Sequence, residues 1–271
     1  MLSSLALAIA PSMARTASSR LSLSGSMQQG SLALGKTESR SEVKINNGPV
    51  LVSKNGSFAF GFEYDQKSPT SLAVKFPDGT SETRELTPVA RKYEVQSITG
   101  LPEHLVTPSP EEQARIAREH ARVAEARKRD SDYEWFSEAF DWPANGIISG
   151  LFGSQRILNG IPSAPHFGVD IAAPEGTPIH APAGATVLIA DSFFLEGNYT
   201  LLDHGHGVFT GYLHQSRQLV KEGDTVARGQ QIGAVGKTGR ATGPHLHWAM
   251  NWFQVRLDPS LSTRTAAPAK A

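Results

Sequence analysis

The chain has 271 residues, of which 39% are hydrophobic, so it is long enough to bury a sizeable core. Basic and acidic side chains number 26 each, and this neutral balance argues against nucleic acid as a partner. The lack of cysteine excludes disulfides, thiolate metal sites, cysteine nucleophiles and lipid attachment at an N-terminal cysteine.

The first 34 residues predict a signal peptide followed by a flexible leader. A short apolar run precedes small residues at Ser12 and Ala14, as before a secretory cleavage point, although a basic stretch before the run is missing. Positions 15–34 are rich in serine, alanine and glycine, which is typical of a flexible segment. We therefore expect a periplasmic or secreted protein of the cell envelope. A cytoplasmic protein with a chance apolar start is the alternative. The sequence contains no later run of about 18 apolar residues, so we predict no transmembrane segment.

Residues 35–105 predict a small all-β domain. Short apolar runs such as Ser57–Phe62 alternate with turn sequences such as Asn55–Gly56. This part has no histidine before His104 and no cluster of metal-ligating side chains. We expect it to be structural, to position substrate, or to regulate the rest of the chain intramolecularly.

Residues 106–134 predict a helical connector. Ser109 stands before Pro110 and three positions before Glu112, the arrangement of a helix N-cap with a capping box. The helix should end near Arg129. Its mostly charged sequence predicts light packing between two domains.

Residues 135–262 predict a second β domain, followed by a disordered tail over 263–271. Glycine separates its short strands, and a Glu-Gly-x-x-apolar sequence occurs at both Glu175 and Glu222. This repetition indicates a sandwich or barrel of duplicated hairpins, so we expect a mostly β chain. Biotinyl and lipoyl carrier domains use similar hairpins. A carrier needs a modifiable lysine with its signature residues at a hairpin tip, and the sequence lacks this combination.

Two pairs of metal-ligating residues lie in the second β domain. Polar and apolar residues alternate around His166 and Asp170, and again around His245 and His247. Alternation predicts half-buried strands with the polar residues on one face. Two histidines and one carboxylate match a catalytic zinc site, which keeps one coordination position open. A histidine on a strand is more often structural, and this counts against the match to a zinc site. Each pair alone therefore supports the metal and the structural interpretation about equally.

Other motifs are weaker. His204–Gly205–His206 is a second His-x-His sequence, but its glycines predict a turn, so we do not expect it to bind metal. The sequence Gly236–Thr238 resembles the end of a phosphate-binding loop, but Gln231 stands where that loop needs glycine.

The proton acceptor of a metal-dependent hydrolase must also be identified. The sequence has no His-Glu-x-x-His motif, so the glutamate base of many zinc proteases is missing. Alternation along 208–214 places His214 on the same face as Tyr212, which makes His214 available to a shared cleft.

The order of these residues resembles the lysostaphin/LytM-type zinc metallopeptidases. A His-x-x-x-Asp pair is followed by Tyr212–Leu213–His214 and then by Thr242–Gly243–Pro244–His245–Leu246–His247, and the similarity extends roughly over Phe140–Pro259. The resemblance implies one Zn²⁺ per chain, with His166, Asp170 and His247 as metal ligands. It also implies that His214 and His245 are the catalytic proton-transfer residues.

The resemblance further implies a zinc-dependent endopeptidase that hydrolyses peptide stems or cross-links of bacterial cell-wall peptidoglycan. Metal-activated water would be the nucleophile, because zinc lowers the pKa of bound water toward about 7. Some family members cut glycine bridges and others cut bonds between D-alanine and diaminopimelate, and an extra N-terminal β domain is more similar to the latter. The alternative is a non-catalytic cell-wall scaffold or amidase activator with the same fold.

Overall fold

The computed structural model describes residues 20–269. The predicted cleavage point at Ser12 and Ala14 lies outside these residues. Within them, strands dominate and only two α-helices occur, so the prediction of a mostly β chain is confirmed. Across residues 20–269, none of the helices combines the length and apolar character needed to cross a lipid bilayer.

Eight short strands precede the helices, namely β1 (Ser22–Gly25), β2 (Leu32–Lys36), β3 (Glu42–Ile45), β4 (Gly48–Val50), β5 (Ser57–Gly61), β6 (Thr70–Lys75), β7 (Ser81–Leu86) and β8 (Val95–Ile98). One antiparallel sheet has the order β1-β2-β5, and a second has the order β4-β3-β6-β7. Alternation along β6 buries Leu72 and Val74, which join Phe58 and Phe60 of β5 in one core. The strand predicted over Ser57–Phe62 is therefore present as β5.

The prediction of a flexible leader is wrong for the described residues before position 35. Ser22–Gly25 pairs antiparallel with the residues from Ala33 to Lys36. Leu21 is buried in the N-terminal core and Leu23 packs against it. The serine- and glycine-rich composition concealed an alternation of leucine and serine, which is a strand pattern with one apolar face.

Two helices follow, α1 (Glu103–Val106) and α2 (Pro110–Ala126). The predicted capping box is confirmed, because the Ser109 hydroxyl accepts from the Glu112 amide at 3.3 Å and the Glu112 carboxylate accepts from the Ser109 amide at 2.7 Å. Val123 is the buried residue of α2, and it packs against Phe193 and Tyr199 of the C-terminal part. The helix thus lies on the second β region through a narrow contact.

The C-terminal part contains the strands β9 (Ile147–Gly150), β10 (Gln155–Leu158), β11 (Ile161–Pro162), β12 (Val169–Ala172), β13 (Pro178–His180), β14 (Ala185–Phe193), β15 (Gly197–Asp203), β16 (Val208–Gln215), β17 (Arg217–Gln218), β18 (Thr225–Val226), β19 (Gln231–Ala234), β20 (His245–Trp252) and β21 (Val255–Leu257). An antiparallel sheet runs in the order β18-β14-β15-β16-β20-β12-β9, with β21 also paired to β20. A smaller sheet has the order β13-β19-β17.

The two C-terminal sheets form a sandwich. Ile179 and Ile232 of the small sheet share a core with Tyr212, Leu246 and Trp248 of the large one. The opposite face of the large sheet faces α2 and β8, and β8 runs parallel to β10 beside it. This second face holds the candidate site.

Candidate active site

Strand β20 positions two of the five predicted site residues. Leu246 and Trp248 are fully buried on its core face, so the intervening His245 and His247 point to the opposite face. Asp170 of β12 is the direct cross-strand neighbour of His247. The alternation predicted around these residues therefore places the two side chains together.

His166 reaches the same point from a loop. The predicted strand around it begins only at Val169, three residues later. The loop is nevertheless fixed, because the His166 amide donates to the Ser154 carbonyl at 2.8 Å and the Gly153 amide donates to the His166 carbonyl at 2.7 Å. These two hydrogen bonds hold the loop in place as strand pairing would, although its side chains do not alternate between two faces.

His214 reaches the site through a break in strand alternation. Tyr212 is buried in the core opposite Trp248, while Leu213 faces the cleft opposite His247. Simple alternation would return His214 to the core, but a register shift and its φ of 62° turn it to the cleft. The prediction that Tyr212 and His214 share a face is therefore wrong, although His214 does line the cleft. A left-handed non-glycine residue is a strained conformation that is often found at functional sites.

The side-chain atoms of three residues converge. His166 Nε2 lies 2.9 Å from Asp170 Oδ1 and 2.8 Å from His247 Nδ1, and these last two atoms are 2.9 Å apart. These three residues, His166, Asp170 and His247, are here named the metal-type cluster. They are the one set of histidine and carboxylate residues within 20–269 that has the spacing of a metal site. Two nitrogens and one oxygen are a donor set that suits zinc.

Neighbouring groups orient these three donors. His166 Nδ1 donates to the Leu151 carbonyl at 3.0 Å, which leaves the lone pair of Nε2 directed into the cluster. Arg156 Nη2 donates to Asp170 Oδ2 at 2.7 Å and leaves Oδ1 for the cluster. Arg156 carries no sequence signal, because it lies on another strand in no recognisable motif. The resemblance did not identify it.

Two further histidine rings stand beside the cluster. The His214 and His245 ring centroids are 4.8 Å apart, and His245 Nε2 lies 3.8 Å from Asp170 Oδ1. His214 Nδ1 donates to the Thr238 carbonyl at 2.8 Å, and His245 Nδ1 donates to the Gly243 carbonyl at 2.9 Å. Because a carbonyl only accepts, each Nδ1 carries the hydrogen and each Nε2 keeps its lone pair in the neutral ring.

Burial lowers the pKa of two of the site histidines, His214 and His247. It lowers the pKa of His214 to about 3, with the nearby His245 and His247 adding to the shift. Burial also lowers the pKa of His247 to about 4. For Asp170, burial acts to raise the pKa, but His166 and His247 outweigh it and hold the pKa well below its usual range. At pH 7 Asp170 is therefore a carboxylate and His247 a neutral imidazole, which are the forms that bind metal.

The cluster opens into a cavity of about 720 Å³. Its walls come from the large sheet, from Gln96 of β8, and from His120 and Val123 of α2. A cavity of this size matches the range of substrate-binding sites.

The second His-x-His pair lies elsewhere. His204 Nδ1 bonds the Gly184 carbonyl at 2.8 Å and its Nε2 bonds the Thr210 hydroxyl at 2.7 Å. His206 Nδ1 bonds the Leu51 carbonyl at 3.0 Å, and its ring lies 4.2 Å from that of Phe136. Neither residue belongs to the metal-type cluster.

A model of peptidase family M23 matches residues 164–259, which include all five candidate site residues. Peptidoglycan DD-endopeptidase ShyA of Vibrio cholerae is 47% identical over 87 residues, which are 32% of this chain and 20% of ShyA. DD-carboxypeptidase/endopeptidase Mpg of Neisseria meningitidis is 45% identical over 83 residues, which are 31% of this chain and 19% of Mpg. The chain thus spans about a fifth of the length of these curated relatives.

A crystal structure from Pseudomonas aeruginosa that is assigned to peptidase M23 is similar over a longer stretch. Its TM-score is 0.67 at 29% identity, and the match covers 87% of this chain and 94% of that chain. Because residues 164–259 make up a much smaller share of the chain, the likeness also includes much of the N-terminal part.

Proposed function

The chain belongs to peptidase family M23, and we propose on that premise that it is a zinc-dependent endopeptidase acting on bacterial cell-wall peptidoglycan. The observation that carries the proposal is the mutual approach of His166 Nε2, Asp170 Oδ1 and His247 Nδ1 to within 2.8–2.9 Å. Three lone-pair donors directed at one another repel unless a proton or a cation lies between them. A bound cation therefore suits this arrangement.

The residues fit a catalytic zinc ion. His166, Asp170 and His247 would hold it, and three protein ligands leave a tetrahedral position open. When bound, zinc supplies Lewis acidity, which activates water and polarises a peptide carbonyl. The hydrogen bonds from His166 to Leu151 and from Arg156 to Asp170 fix the ligand orientations before the metal arrives.

His214 and His245 would carry the protons. Each ring keeps a free Nε2 because its Nδ1 donates to a backbone carbonyl. Neutral His214 can accept the proton of the attacking water, and a protonated ring can then give a proton to the leaving amine. The cationic form in between would stabilise negative charge on the former carbonyl oxygen. This pair replaces the glutamate base that the sequence lacks.

The substrate and the location are inferred from the relatives. ShyA is named a peptidoglycan DD-endopeptidase and Mpg a DD-carboxypeptidase/endopeptidase. We infer that this chain cuts peptide stems or cross-links of peptidoglycan and acts outside the cytoplasm. A non-catalytic scaffold or amidase activator has less support, because all five site residues are retained and lie together.

Zinc content and turnover test this proposal together. The purified full chain should contain one zinc per molecule and release soluble peptide fragments from purified peptidoglycan. A chelator should stop the release, and added zinc should restore it. Zinc without fragment release would favour the scaffold, and absence of both would contradict the proposed function.

Regulation by the N-terminal part is a further element of the proposal. Strand β8 and helix α2 form part of the cavity wall, so a shift of either would change access to the site. A chain beginning near Trp135 should then differ in activity from the full chain. Equal activity of the two would argue against inhibition by the N-terminal part.

A further inference from the structure

The cavity beside the metal-type cluster has an excess of positive charge. Four arginines line it, namely Arg127, Arg156, Arg240 and Arg256, whereas its carboxylates are those of Asp170 and Glu196. Arg156 is engaged by Asp170. The remaining three, Arg127, Arg240 and Arg256, are here named the arginine cluster.

The arginine cluster is not neutralised by the protein. Among residues 20–269, no member of it forms a direct ion pair with a carboxylate, although many other arginines of the chain do. Glu196 acts on Arg240 and Arg256 through space, but its direct partner is His120 at 3.2 Å. The second oxygen of Glu196, Oε2, is buried without a hydrogen bond. The positive charges therefore remain available within the cavity.

Arg127 is the most constrained member. Its side chain follows the last turn of α2 and is only 5% exposed, and its Nε is buried without a hydrogen-bond partner. Its guanidinium lies beside the Tyr199 hydroxyl. A buried guanidinium with an unsatisfied donor costs folding free energy, so its retention in a cavity wall points to a ligand that pairs with it.

Arg240 and Arg256 are accessible from the cavity. Part of the Arg256 side chain is exposed to solvent. Its guanidinium is nevertheless partly desolvated by the cavity walls and lies near Arg127, and these two effects lower its pKa to about 10. Burial likewise lowers the pKa of Arg240. Both remain cations at pH 7, and both would gain from a negative partner.

We propose that the arginine cluster is a carboxylate-binding subsite, which holds a free carboxylate of the substrate peptide beside the reacting bond. This proposal rests on the proposed function, because it assumes that a peptide occupies the cavity. A guanidinium presents paired donors that match the two oxygens of a carboxylate. The subsite would thus favour peptides with a free carboxylate next to the scissile bond over the same peptides in amidated form.

A matched pair of peptides tests the subsite. One is a cross-linked dimer of alanine and diaminopimelate with the free diaminopimelate carboxylate next to the scissile bond, and the other carries that carboxylate as an amide. The zinc-loaded full chain should cleave the free form with a KM lower by roughly tenfold or more, the range expected for charge-assisted hydrogen bonds. Arg240→Gln and Arg256→Gln should each raise the KM for the free form to that of the amidated form and so remove this preference.

Controls separate the subsite from general effects of charge and folding. Arg217→Gln removes an exposed arginine that does not line the cavity and should keep the wild-type preference. Arg256→Lys keeps the charge without the paired donors and should retain part of the preference. Calorimetric binding of both dimers to the metal-depleted full chain gives a readout that is independent of turnover. The wild type should bind the free dimer more tightly than the amidated dimer, whereas the Arg240→Gln and Arg256→Gln variants should bind the two dimers equally.

The outcomes distinguish the two proposals. If the wild type cleaves both dimers with equal KM and the variants match it, the subsite is contradicted while the peptidase function stands. If the wild type cleaves neither dimer and releases no fragments from peptidoglycan, the proposed function fails. If it releases fragments but cleaves neither dimer, the calorimetric binding decides, and equal binding of the two dimers contradicts the subsite. If Arg217→Gln loses the preference as Arg240→Gln does, the effect is one of overall charge, and the subsite is again contradicted.

Discussion

Two sequences of this chain read His-x-His, at His204–His206 and at His245–His247, and they lie in different backbone settings. The later pair occupies a regular strand, so both rings point to one face. The earlier pair lies in a turn in which Gly205, His206 and Gly207 are all left-handed, so the two rings diverge.

The difference between the pairs also appears in their hydrogen bonds. Both nitrogens of His204 are used by the protein, whereas the converging nitrogen of His247 contacts only other potential metal ligands. Spacing in the sequence therefore does not define a metal site. The backbone must bring lone pairs together and leave them without a donor of their own.

The largest expected effect on zinc binding comes from a substitution in the later His-x-His pair, compared with a substitution in the earlier pair. His247→Ala removes a proposed zinc ligand and should abolish both zinc binding and peptidoglycan hydrolysis. His206→Ala should keep zinc and activity, with a loss of stability only, since its ring packs against Phe136. Metal analysis of the two purified variants checks this. Zinc in the His247 variant at the wild-type level would contradict the assignment.

A smaller effect is expected from crowding the ligand without removing it. A Cβ on Gly168 would lie 2.5 Å from His247 Nε2 and 2.7 Å from the Trp248 carbonyl oxygen, so Gly168→Ala must displace the ring or the strand. Zinc affinity should fall by about 10- to 100-fold, as when supporting contacts of a ligand are lost. Gly243→Ala is the matched control, because a Cβ there meets nothing within 4 Å. Competition with a chelating dye measures both affinities, and equal values would show that the contact is unimportant.

The smallest effect concerns the structural pair. Burial lowers the pKa of His204 from 6.5 to about 4, so the unfolded chain takes up a proton before the folded one does. Its contribution to stability is fully present above pH 6.5 and declines as the pH falls toward 4, by up to roughly 3 kcal/mol. Urea unfolding of the wild type and His204→Gln at pH 7 and pH 4.5 isolates this contribution. An identical pH dependence of the two proteins would exclude it.

The sequence was sufficient where local rules govern structure. The capping box at Ser109 depends on residues three positions apart, and the facing of His245 and His247 depends on regular pleating. Both follow from backbone geometry alone.

Local rules failed where distant segments decide the conformation. His166 is held by the carbonyl and amide of another loop, and His214 is turned by a register shift between β15 and β16. The family resemblance identified both residues, but strand alternation did not explain either position. Arg156 and the arginine cluster were missed altogether, because tertiary packing alone brings them to the cavity.

The division of the five residues into three metal ligands and two proton carriers is tested most directly by His214→Ala. Its ring lies beside the cluster, but its Nδ1 is bound to Thr238 and it is not among the converging donors. We expect the variant to keep one zinc per chain while peptidoglycan hydrolysis falls by about 10²- to 10⁴-fold, the usual range for losing a general acid–base group. Loss of zinc, or hydrolysis at the wild-type rate, would contradict this division of roles.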